Sequence, residues 1–278
     1  MKPKLLIPAW TTLDRSSILA LLTHDLSVPD AIYVASSARP EEIAEVPIVR
    51  ATRLMLERAQ DNGGLVLTKG GALSRADVTA LFDATSWPDF DRATVLAVNK
   101  VLNEQDVLPI HFTRVMAKEA GLLQAYKGRL VATKRTKELL RPERAPQLFK
   151  LAFETVFWRM NLAYLDRMPG EHWPQTHIGL VLWCLSVVAH EWGIPDDFMS
   201  TCTMPDGELG AAGRDFPGFA MVTRVLRPLT WFGLMEARDT KTDRAPLWRR
   251  DRQYRKTPLY DRVLSFVVAV RKLDTPLQ

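Results

Sequence analysis

The 278-residue sequence predicts a mainly α-helical protein with small β-hairpins, and three observations support this fold class. Apolar residues recur at three-to-four-residue spacing in several segments, as on one face of a helix. Two pairs of short segments lie on either side of a turn, as the strands of β-hairpins do. Hydrophobic residues make up 47% of the chain, which is enough for the core of one large domain or two modest ones.

The first 44 residues show no sustained period, and the first regular element is a helix over residues 47–60. Asn62-Gly63-Gly64 ends this helix, and residues 65–68 have the composition of a short strand. Ser74 is a good N-cap for a further helix over residues 75–84. The sequence thus predicts helix, strand, turn and helix in this order.

A second helix is predicted over residues 110–120, and Gly121 ends it. Residues 122–126 and 129–133 alternate about a tight turn and predict a β-hairpin, and residues 134–140 form a closing helix. Helix, helix and hairpin in this order are typical of a winged helix, in which the helix before the hairpin is usually the recognition helix.

An internal repeat follows the first hairpin at a distance. The segment Gly121-Leu122-Leu123-Gln124-Ala125 has a counterpart in Gly233-Leu234-Met235-Glu236-Ala237, and the spacing from Thr133 to Leu140 equals that from Thr257 to Leu264. Chance likeness of two helix–hairpin–helix segments is the alternative. The fold class is therefore refined to tandem winged-helix-like units joined by a helical core. The predicted domains are an N-terminal segment of unclear structure (1–44), a first winged-helix unit (45–141), central helices and a linker (142–212) and a second winged-helix-like unit (213–278).

The central segment contains two predicted helices, residues 146–167 and 173–192, which are rich in Phe, Trp, Leu and Val. Their aromatic residues recur at helical spacing, so we interpret them as core that joins the two units rather than as a cofactor site. Residues 193–217 are rich in Pro, Asp and Gly and are predicted to form an irregular linker.

The run Gly64 to Leu73, with residues 120–123 and 129–134, resembles the C-terminal region of an uncharacterised bacterial family. This family is named for an open reading frame of a root-inducing plasmid. The resemblance covers residues 45–165, rests mostly on apolar and glycine positions, and implies a winged-helix-like fold without any catalytic residue. The chain departs from the family at Arg135-Thr136, where the last helix of the family usually opens with glycine.

Compartment and membrane association can also be judged from the sequence. The two cysteines, Cys184 and Cys202, lie in apolar or mixed surroundings that suit buried thiols better than a disulfide framework. The N-terminal apolar run is too short for a signal peptide. The longest apolar run, residues 178–189, falls short of the roughly 18–20 residues that cross a bilayer. We expect a cytoplasmic protein without membrane contact, of undetermined oligomeric state.

Charge is concentrated in the second hairpin. Residues 238–256 contain eight basic and three acidic residues; because the chain has 37 basic and 32 acidic residues, the remainder balances at 29 of each. Such an excess favours binding of nucleic-acid phosphates, with Trp248 and Tyr254 able to stack on bases. The alternative is a solvated hairpin whose charges guard against strand pairing. The candidate contacts here are Lys241, Arg244, Arg249, Arg250, Arg252, Arg255 and Lys256.

The first unit offers further candidates. His111, Arg114 and Lys118 lie on the side of the predicted recognition helix away from its apolar face, which would point them into a major groove. Lys127 and Arg129 lie on the hairpin. The closing helix adds Lys134, Arg135 and Lys137. The alternative is that these are the ordinary charges of any exposed helix.

Three hypotheses about function follow. The first is an accessory or regulatory protein that binds nucleic acid, double-stranded DNA above all, of plasmid or phage origin. The second is a non-enzymatic adaptor that uses the winged helices to bind a protein partner. The third, ranked lowest, is an enzyme built around His172, His177 and His190. His190-Glu191 begins like a zinc-protease helix, but Ile194 stands where the second histidine belongs. No catalytic motif, cofactor site or metal site is predicted.

Overall fold

The structure is a computed structural model, and it describes residues 7–24, 26, 31–34, 38–166, 172–205, 213, 216–240 and 252–271. Within these residues the protein is mainly helical with short antiparallel strand pairs, which confirms the fold class at that level. The α-helices are α1 (Arg15–Leu22), α2 (Pro40–Ala44), α3 (Pro47–Asp61), α4 (Arg75–Ala84), α5 (Arg92–Val98), α6 (Leu108–Glu119), α7 (Lys134–Leu139), α8 (Ala145–Glu154), α9 (Ile178–Val188), α10 (Pro195–Cys202), α11 (Phe216–Ala220), α12 (Arg227–Trp231) and α13 (Pro258–Val263). The strands are β1 (Ile32–Val34), β2 (Leu65–Val66), β3 (Leu123–Tyr126), β4 (Arg129–Ala132), β5 (Met235–Asp239), β6 (Arg252–Lys256) and β7 (Leu264–Phe266).

The chain divides into two compact units. The middle unit consists of residues Ser36–Met160, and the terminal unit consists of Met1–Ala35 together with Asn161–Gln278. This division differs from the four segments expected from the sequence. Helix α8 belongs to the middle unit because it packs against α2 and α3. The start of the chain joins its end because β1 pairs with β7.

Helix α3 is the centre of the middle unit's core. Its Pro47 occupies the first turn, where the missing N–H removes no intrahelical hydrogen bond, and seven of its residues are buried. It contacts α4, α6, α8 and β4. In α8, the stacked rings of Phe149 and Phe153 lie 5.9 Å apart and are fully buried. Full burial of one such side chain contributes about 1.5–3 kcal/mol, so these aromatic residues stabilise the core.

The middle unit contains a three-stranded antiparallel sheet in the order β2–β4–β3. A two-residue turn joins β3 to β4, with φ of 46° at Lys127 and 75° at Gly128. Positive φ at both central residues is the pattern of a type I′ turn, whose twist matches that of antiparallel strands. The first hairpin is therefore short and tightly closed.

Helix α9 is the centre of the terminal unit, and its first eight residues are all buried. Helix α1 approaches it closely at Gly179, where a Cβ atom would lie 2.3 Å from the carbonyl oxygen of Leu21. The β1–β7 pair places Ile32 opposite Phe266 and so brings two distant segments of the chain together. A glycine is required at position 179 because any side chain would separate α1 from α9.

The terminal unit repeats the hydrogen bonding around the first hairpin. A glycine with positive φ ends the upstream helix in both cases, with φ of 70° at Gly121 and 68° at Gly233. After each hairpin a threonine, Thr133 or Thr257, donates its hydroxyl to the carbonyl oxygen of that glycine. Its backbone N–H donates to the carbonyl oxygen of the leucine that follows the glycine, Leu122 or Leu234. These hydrogen bonds measure between 2.7 and 3.0 Å. The two segments therefore share one local architecture.

The repeat extends further upstream than the sequence predicts. Leu65 of β2 pairs with Leu130 of β4, and Gly193 forms an antiparallel bridge with Tyr254 of β6. Leu130 and Tyr254 hold corresponding positions in the two hairpins, and each is 2% exposed. Helices α9 and α10 stand before and after Gly193 as α3 and α4 stand before and after β2. The order helix, strand or bridge, three helices, hairpin, helix thus occurs twice in the described residues.

Several predicted elements need correction. The helix expected over 146–167 ends at Met160, because a π-helical turn at Thr155–Arg159 widens its last part before the chain turns away. The linker expected over 193–217 contains α10, in which Pro195 and two aspartates occupy the first turn, as helix starts favour. The unassigned N-terminal segment contains α1, β1 and α2. Their stabilising contacts are made with distant parts of the chain, so no local period marks them.

Across the described ranges, no helix combines the length and the apolar character needed to cross a membrane.

Candidate nucleic-acid interface

Helix α6 does not present the predicted polar stripe to solvent. Six of its residues are buried, and the side chains of His111 and Arg114 are only 18% and 15% exposed. Both contact the carboxylate of Glu104, which is 3% exposed. Lys118, near the end of the helix, is exposed as expected. The structure therefore corrects the expectation that His111 and Arg114 face a groove.

Glu104 joins three elements of the middle unit. Its Oε1 lies 2.6 Å from Nδ1 of His111 and accepts a hydrogen bond from Nε of Arg114. Its Oε2 accepts a hydrogen bond of 2.6 Å from the backbone N–H of Leu73, in the turn before α4. Charge-assisted hydrogen bonds of this kind are stronger than neutral ones. They hold the first half of α6 against the chain that precedes α4.

These donors keep Glu104 ionised. Burial alone raises the pKa of a carboxyl group, but the hydrogen bonds from His111, Leu73 and Arg114 outweigh it and lower the pKa of Glu104 below its usual value. At neutral pH the Glu104 side chain is a carboxylate that partly neutralises the cationic groups of α6.

A capping box positions Glu104. The backbone N–H of Asn103 donates to Oδ2 of Asp106 over 2.8 Å, and this closes the 3₁₀ turn Glu104–Asp106. The sequence pattern Asn-x-x-Asp before a helix is a known helix-start signal. It could have indicated the turn, but the choice of His111 and Arg114 as partners depends on tertiary structure. The sequence alone therefore did not identify Glu104 as part of the site.

A cavity of about 710 Å³ lies beside Glu104. Arg75, the first residue of α4, reaches across it, and its Nε donates to Oδ1 of Asn103 over 3.0 Å. The cavity is lined by Thr68, Gly70, Gly71, Ala72, Leu73, Ser74, Arg75, Asn103, Glu104, Gln105, His111 and Arg114. Basic side chains thus surround one carboxylate.

The tip of the first hairpin carries two of the predicted cations. Lys127 is exposed at the turn, and its Nζ lies 5.2 Å from the ring centre of Tyr126. Arg129 is exposed, and its guanidinium donates to the carbonyl oxygens of Asn62 and Gly64 at 3.1 and 3.0 Å. Those carbonyls follow the C-terminus of α3, where a cation is favoured. Arg129 is therefore held in place without being neutralised by a carboxylate.

The base of this hairpin carries the remaining cations. The hydrogen bonds from Thr133 to Gly121 and Leu122 bring the start of α7 beside the end of α6. Lys118 thus lies at the same end of the hairpin as the exposed Lys134, Arg135 and Lys137. Residues 118–144 contain eight basic residues (Lys118, Lys127, Arg129, Lys134, Arg135, Lys137, Arg141 and Arg144) and three acidic ones (Glu119, Glu138 and Glu143). This excess equals that of residues 238–256.

In the second hairpin, three of the four described cations form ion pairs with acidic side chains, and the fourth, Arg238, donates to Oε1 of Gln253. The ion pairs are Arg252 with Asp239 (2.8 Å), Arg255 with Glu236 (2.7 Å) and Lys256 with Asp261 (2.7 Å). Arg238 and Arg255 also lie over the Trp192 ring, at 4.3 and 4.7 Å from its centre. The pairs of Arg252 and Arg255 hold β5 and β6 together, and carboxylates compensate three of the four described cations of the hairpin.

Two residues of the second hairpin are core rather than surface. Tyr254 is 2% exposed, so the expectation that it stacks on bases is wrong. The Lys256 side chain is 6% exposed, and its Nζ also donates to the carbonyl oxygen of Ser186 over 2.6 Å. Lys256 therefore does not belong to a contact surface. The other candidates in this hairpin, Lys241, Arg244, Arg249 and Arg250, together with Trp248, lie outside the described residues.

The structure adds no support for the metalloenzyme hypothesis. Within the described ranges, no group of three or more His, Cys, Asp or Glu side chains could hold a metal ion. His172 and His190 are exposed and His177 is half-buried. The two cysteines are free and buried in the terminal unit.

Comparison with known proteins places a likeness in the middle unit. Residues 44–146 match a family model described as the Y4jL N-terminal domain. An uncharacterised protein y4jL of Sinorhizobium fredii is 35% identical over 98 residues, which are 35% of this chain and 44% of that protein. The chain therefore matches less than half the length of this relative. No solved structure matches the chain. Because the matched model is an N-terminal domain, the expected resemblance to the C-terminal region of the root-inducing plasmid family is not supported.

Proposed function

We propose that the middle unit binds double-stranded DNA through its sugar–phosphate backbone. The contact surface, called here the basic surface, consists of Lys118, Lys127, Arg129, Lys134, Arg135 and Lys137. One observation carries the proposal: within the described part of the chain, none of these six cations lies within ion-pair distance of a carboxylate. Phosphate is the ligand that such a surface attracts, because its binding releases counterions from the nucleic acid.

The order of elements supports the same proposal. Helix α3, strand β2, helices α4 and α6 and the hairpin, with the short helix α5 between α4 and α6 and the sheet order β2–β4–β3, correspond to the winged-helix arrangement, which commonly binds DNA. Fold alone does not imply function, so the argument depends on the cations that this scaffold exposes.

The second copy of the arrangement provides an internal comparison. When the two segments are aligned at Gly121 and Gly233, the counterpart of Lys118 is Thr230. When they are aligned at Thr133 and Thr257, the counterparts of Lys134, Arg135 and Lys137 are Pro258, Leu259 and Asp261. Leu259 is buried, and α13 is held to α9 by a hydrogen bond of 2.7 Å from the Tyr260 hydroxyl to Leu182. The second copy thus uses its closing helix for packing, whereas the first exposes cations at the same place.

The spacing of the cations suits a duplex. Arg129 and Thr133 are four residues apart along an extended chain, so the tip and the base of the basic surface are separated by roughly 13 Å. The major groove of B-DNA is about 12 Å wide. Cations at the two ends can therefore reach phosphates on opposite sides of one groove.

The start of α7 departs from an ordinary helix start. Lys134 and Arg135 occupy its first two positions, and its first turn contains no acidic residue. Cations at a helix N-terminus oppose the helix dipole and typically cost about 0.3–1 kcal/mol each. A local arrangement that disfavours folding is expected where function requires it. This favours a binding role over ordinary surface charge.

The decisive experiment is the salt dependence of binding to a fluorescein-labelled 20-base-pair duplex, followed by fluorescence anisotropy. Six phosphate contacts predict a loss of affinity on the order of a thousandfold between about 50 and 200 mM salt. The double variant Lys134→Glu/Arg135→Glu should weaken binding and reduce the slope by about two, because two phosphate contacts are lost. Its matched control is Arg50→Glu/Lys100→Glu, which makes the same charge change at exposed residues outside the basic surface. Equal losses of affinity in both double variants, or no binding of DNA at low salt, would contradict the proposal.

A second candidate function is that of a protein-interaction adaptor. The observation that favours it is that the His111 and Arg114 side chains of α6 are largely covered. The exposed apolar side chains of Tyr126 (58%) and Val66 (41%), on the two outer strands of the sheet, add to it. Under this hypothesis the basic surface would not be required, and binding to a protein partner would depend on Tyr126 rather than on salt. The anisotropy experiment separates the two functions.

A further inference from the structure

We infer that Glu104 prevents the middle unit from reading bases, so that it binds duplex DNA without sequence preference. This inference rests on the proposed function and specifies its substrate class as duplex DNA of any sequence. The residue acts through its neighbours: Glu104 is a positioning residue that holds His111 and Arg114 within the protein.

The position of the two held residues supports the inference. In winged helices and related motifs, residues in the first part of the recognition helix reach the base edges. In α6, His111 and Arg114 are the basic residues of that part, and both contact the Glu104 carboxylate. Backbone contacts fix the position of a protein on a duplex but carry no sequence information. Among the contact residues predicted in the middle unit, those of the basic surface therefore remain available for binding.

The geometry at Arg114 prevents specific contact with a base. The commonest specific contact in the major groove is an arginine that donates two hydrogen bonds to one guanine. The Nε atom of Arg114 is engaged by Glu104, and the side chain is 15% exposed. Release of Arg114 would leave a carboxylate that is 3% exposed without its guanidinium partner, which is costly. The ion pair therefore remains closed when phosphates bind elsewhere.

The groups around Glu104 show that this residue keeps the ion pair with Arg114 closed. Its other oxygen is held by the N–H of Leu73, so the carboxylate cannot follow Arg114 outward. The cavity beside it provides space for a released guanidinium to move. Replacement of Glu104 by glutamine preserves the shape of the side chain and an acceptor for Leu73, but it removes the charge that holds Arg114.

The test compares full-length wild-type protein with Glu104→Gln on duplex DNA. The variant should bind roughly tenfold more tightly to its preferred sequences, and a salt slope steeper than wild type is expected where Arg114 reaches a phosphate. Selection from a randomised duplex library should yield a preferred sequence for the variant and none for wild type. The charge-matched control, Glu45→Gln at an exposed position, should reproduce neither effect. The double variant Glu104→Gln/Arg114→Gln has the wild-type net charge, and in it the gain in affinity should disappear.

A second variant keeps the inference testable if Glu104→Gln folds poorly. Arg114→Gln alone should leave the wild-type salt slope unchanged, because Arg114 does not touch DNA while Glu104 holds it. A slope reduced by about one would show that Arg114 already contacts phosphate, and this would overturn the inference. A folded Glu104→Gln protein that binds no more tightly and selects no sequence would also overturn it. Neither result affects the proposed function, which fails if the wild-type protein retains no DNA at low salt or if its binding does not depend on the basic surface.

Discussion

The hydroxyl group of Thr133 donates a hydrogen bond to the carbonyl oxygen of Gly121 over 2.8 Å, and Thr257 makes the same bond to Gly233 over 2.7 Å. Each bond joins the residue that ends a helix to the residue that follows a hairpin. We predict that Thr133→Val and Thr257→Val each lower the free energy of unfolding by about 1 kcal/mol, because an intramolecular hydrogen bond is lost. Urea denaturation of the single and double variants measures this. Since the two sites lie in different units, their effects on the free energy of unfolding should be independent. A Thr133→Val variant as stable as wild type would contradict the prediction.

Lys127 adopts a positive φ of 46° in the type I′ turn, where asparagine and glycine are preferred. We predict that Lys127→Asn stabilises the protein by about 0.5–1 kcal/mol, because asparagine tolerates the left-handed conformation better. The same substitution should weaken duplex binding and reduce the salt slope by about one. Thermal unfolding and anisotropy measure the two effects. A variant that is both less stable and a tighter binder would contradict the prediction on both counts.

The lowered pKa of Glu104 predicts a pH dependence of stability. In the unfolded chain this carboxyl group titrates near its usual value of 4.5, and in the folded protein it titrates at lower pH. Its contribution to stability is therefore fully present above about pH 4.5 and is lost as the pH falls through the lowered folded-state pKa. Urea midpoints of wild type and Glu104→Gln, measured from pH 7 to pH 3, should converge as the pH decreases. A constant difference across this range would show that Glu104 does not contribute through its charge.

Arg224 and Asp166 form a fully buried ion pair in the terminal unit. Nε and Nη2 of Arg224 each donate to one carboxylate oxygen over 2.8 Å, and Nη1 donates to the carbonyl oxygen of Trp173 over 2.9 Å. Arg224→Met should destabilise the protein by about 3–5 kcal/mol, because the fully buried Asp166 loses its guanidinium partner. The double variant Arg224→Met/Asp166→Leu should recover part of this loss. Lys150→Ala, which removes a partly exposed pair with Glu154, should cost less than about 1 kcal/mol and is the control.

Gly179 allows α1 and α9 to approach each other. A methyl group at this position would lie 2.3 Å from the Leu21 carbonyl oxygen and 2.7 Å from a methyl of Ile32. Although alanine is the better helix former, we predict that Gly179→Ala destabilises the protein by about 1–3 kcal/mol, because backbone atoms must move. Thermal unfolding measures this effect. An unchanged or higher melting temperature would show that α1 can shift without cost.

Much of the middle unit could be predicted from sequence because its elements begin and end at residues with strong local preferences. The Ser74 side chain accepts the N–H of Asp77 at the start of α4, as an N-cap does. Gly121 takes the positive φ that ends α6, and the turn at Lys127 closes the hairpin. These signals act over four residues or fewer. Periodicity then identified the buried face of α3.

The errors arose where long-range packing determines the outcome. Glu104 lies in a segment that looks like a polar connection, and only the fold shows that it neutralises α6. In the second hairpin, Arg252 and Arg255 pair with acidic residues across the strands, whereas Lys241, Arg244, Arg249 and Arg250 lie outside the described residues and their expected role stays a prediction. A count of charges along the chain cannot distinguish paired cations from unpaired ones. For this reason the proposed contact surface lies on the first hairpin.

The duplicated arrangement also affects how the two halves of the chain can change over evolutionary time. The exposed face of α7 can accept substitutions with little cost to folding, whereas buried Leu259, Tyr260 and Val263 make α13 sensitive to almost any change. As far as folding is concerned, residues 134, 135, 137 and 138 therefore tolerate more substitutions than residues 258–263 do. One copy of the arrangement is thus constrained as a scaffold, whereas the other can acquire new binding partners without loss of the fold.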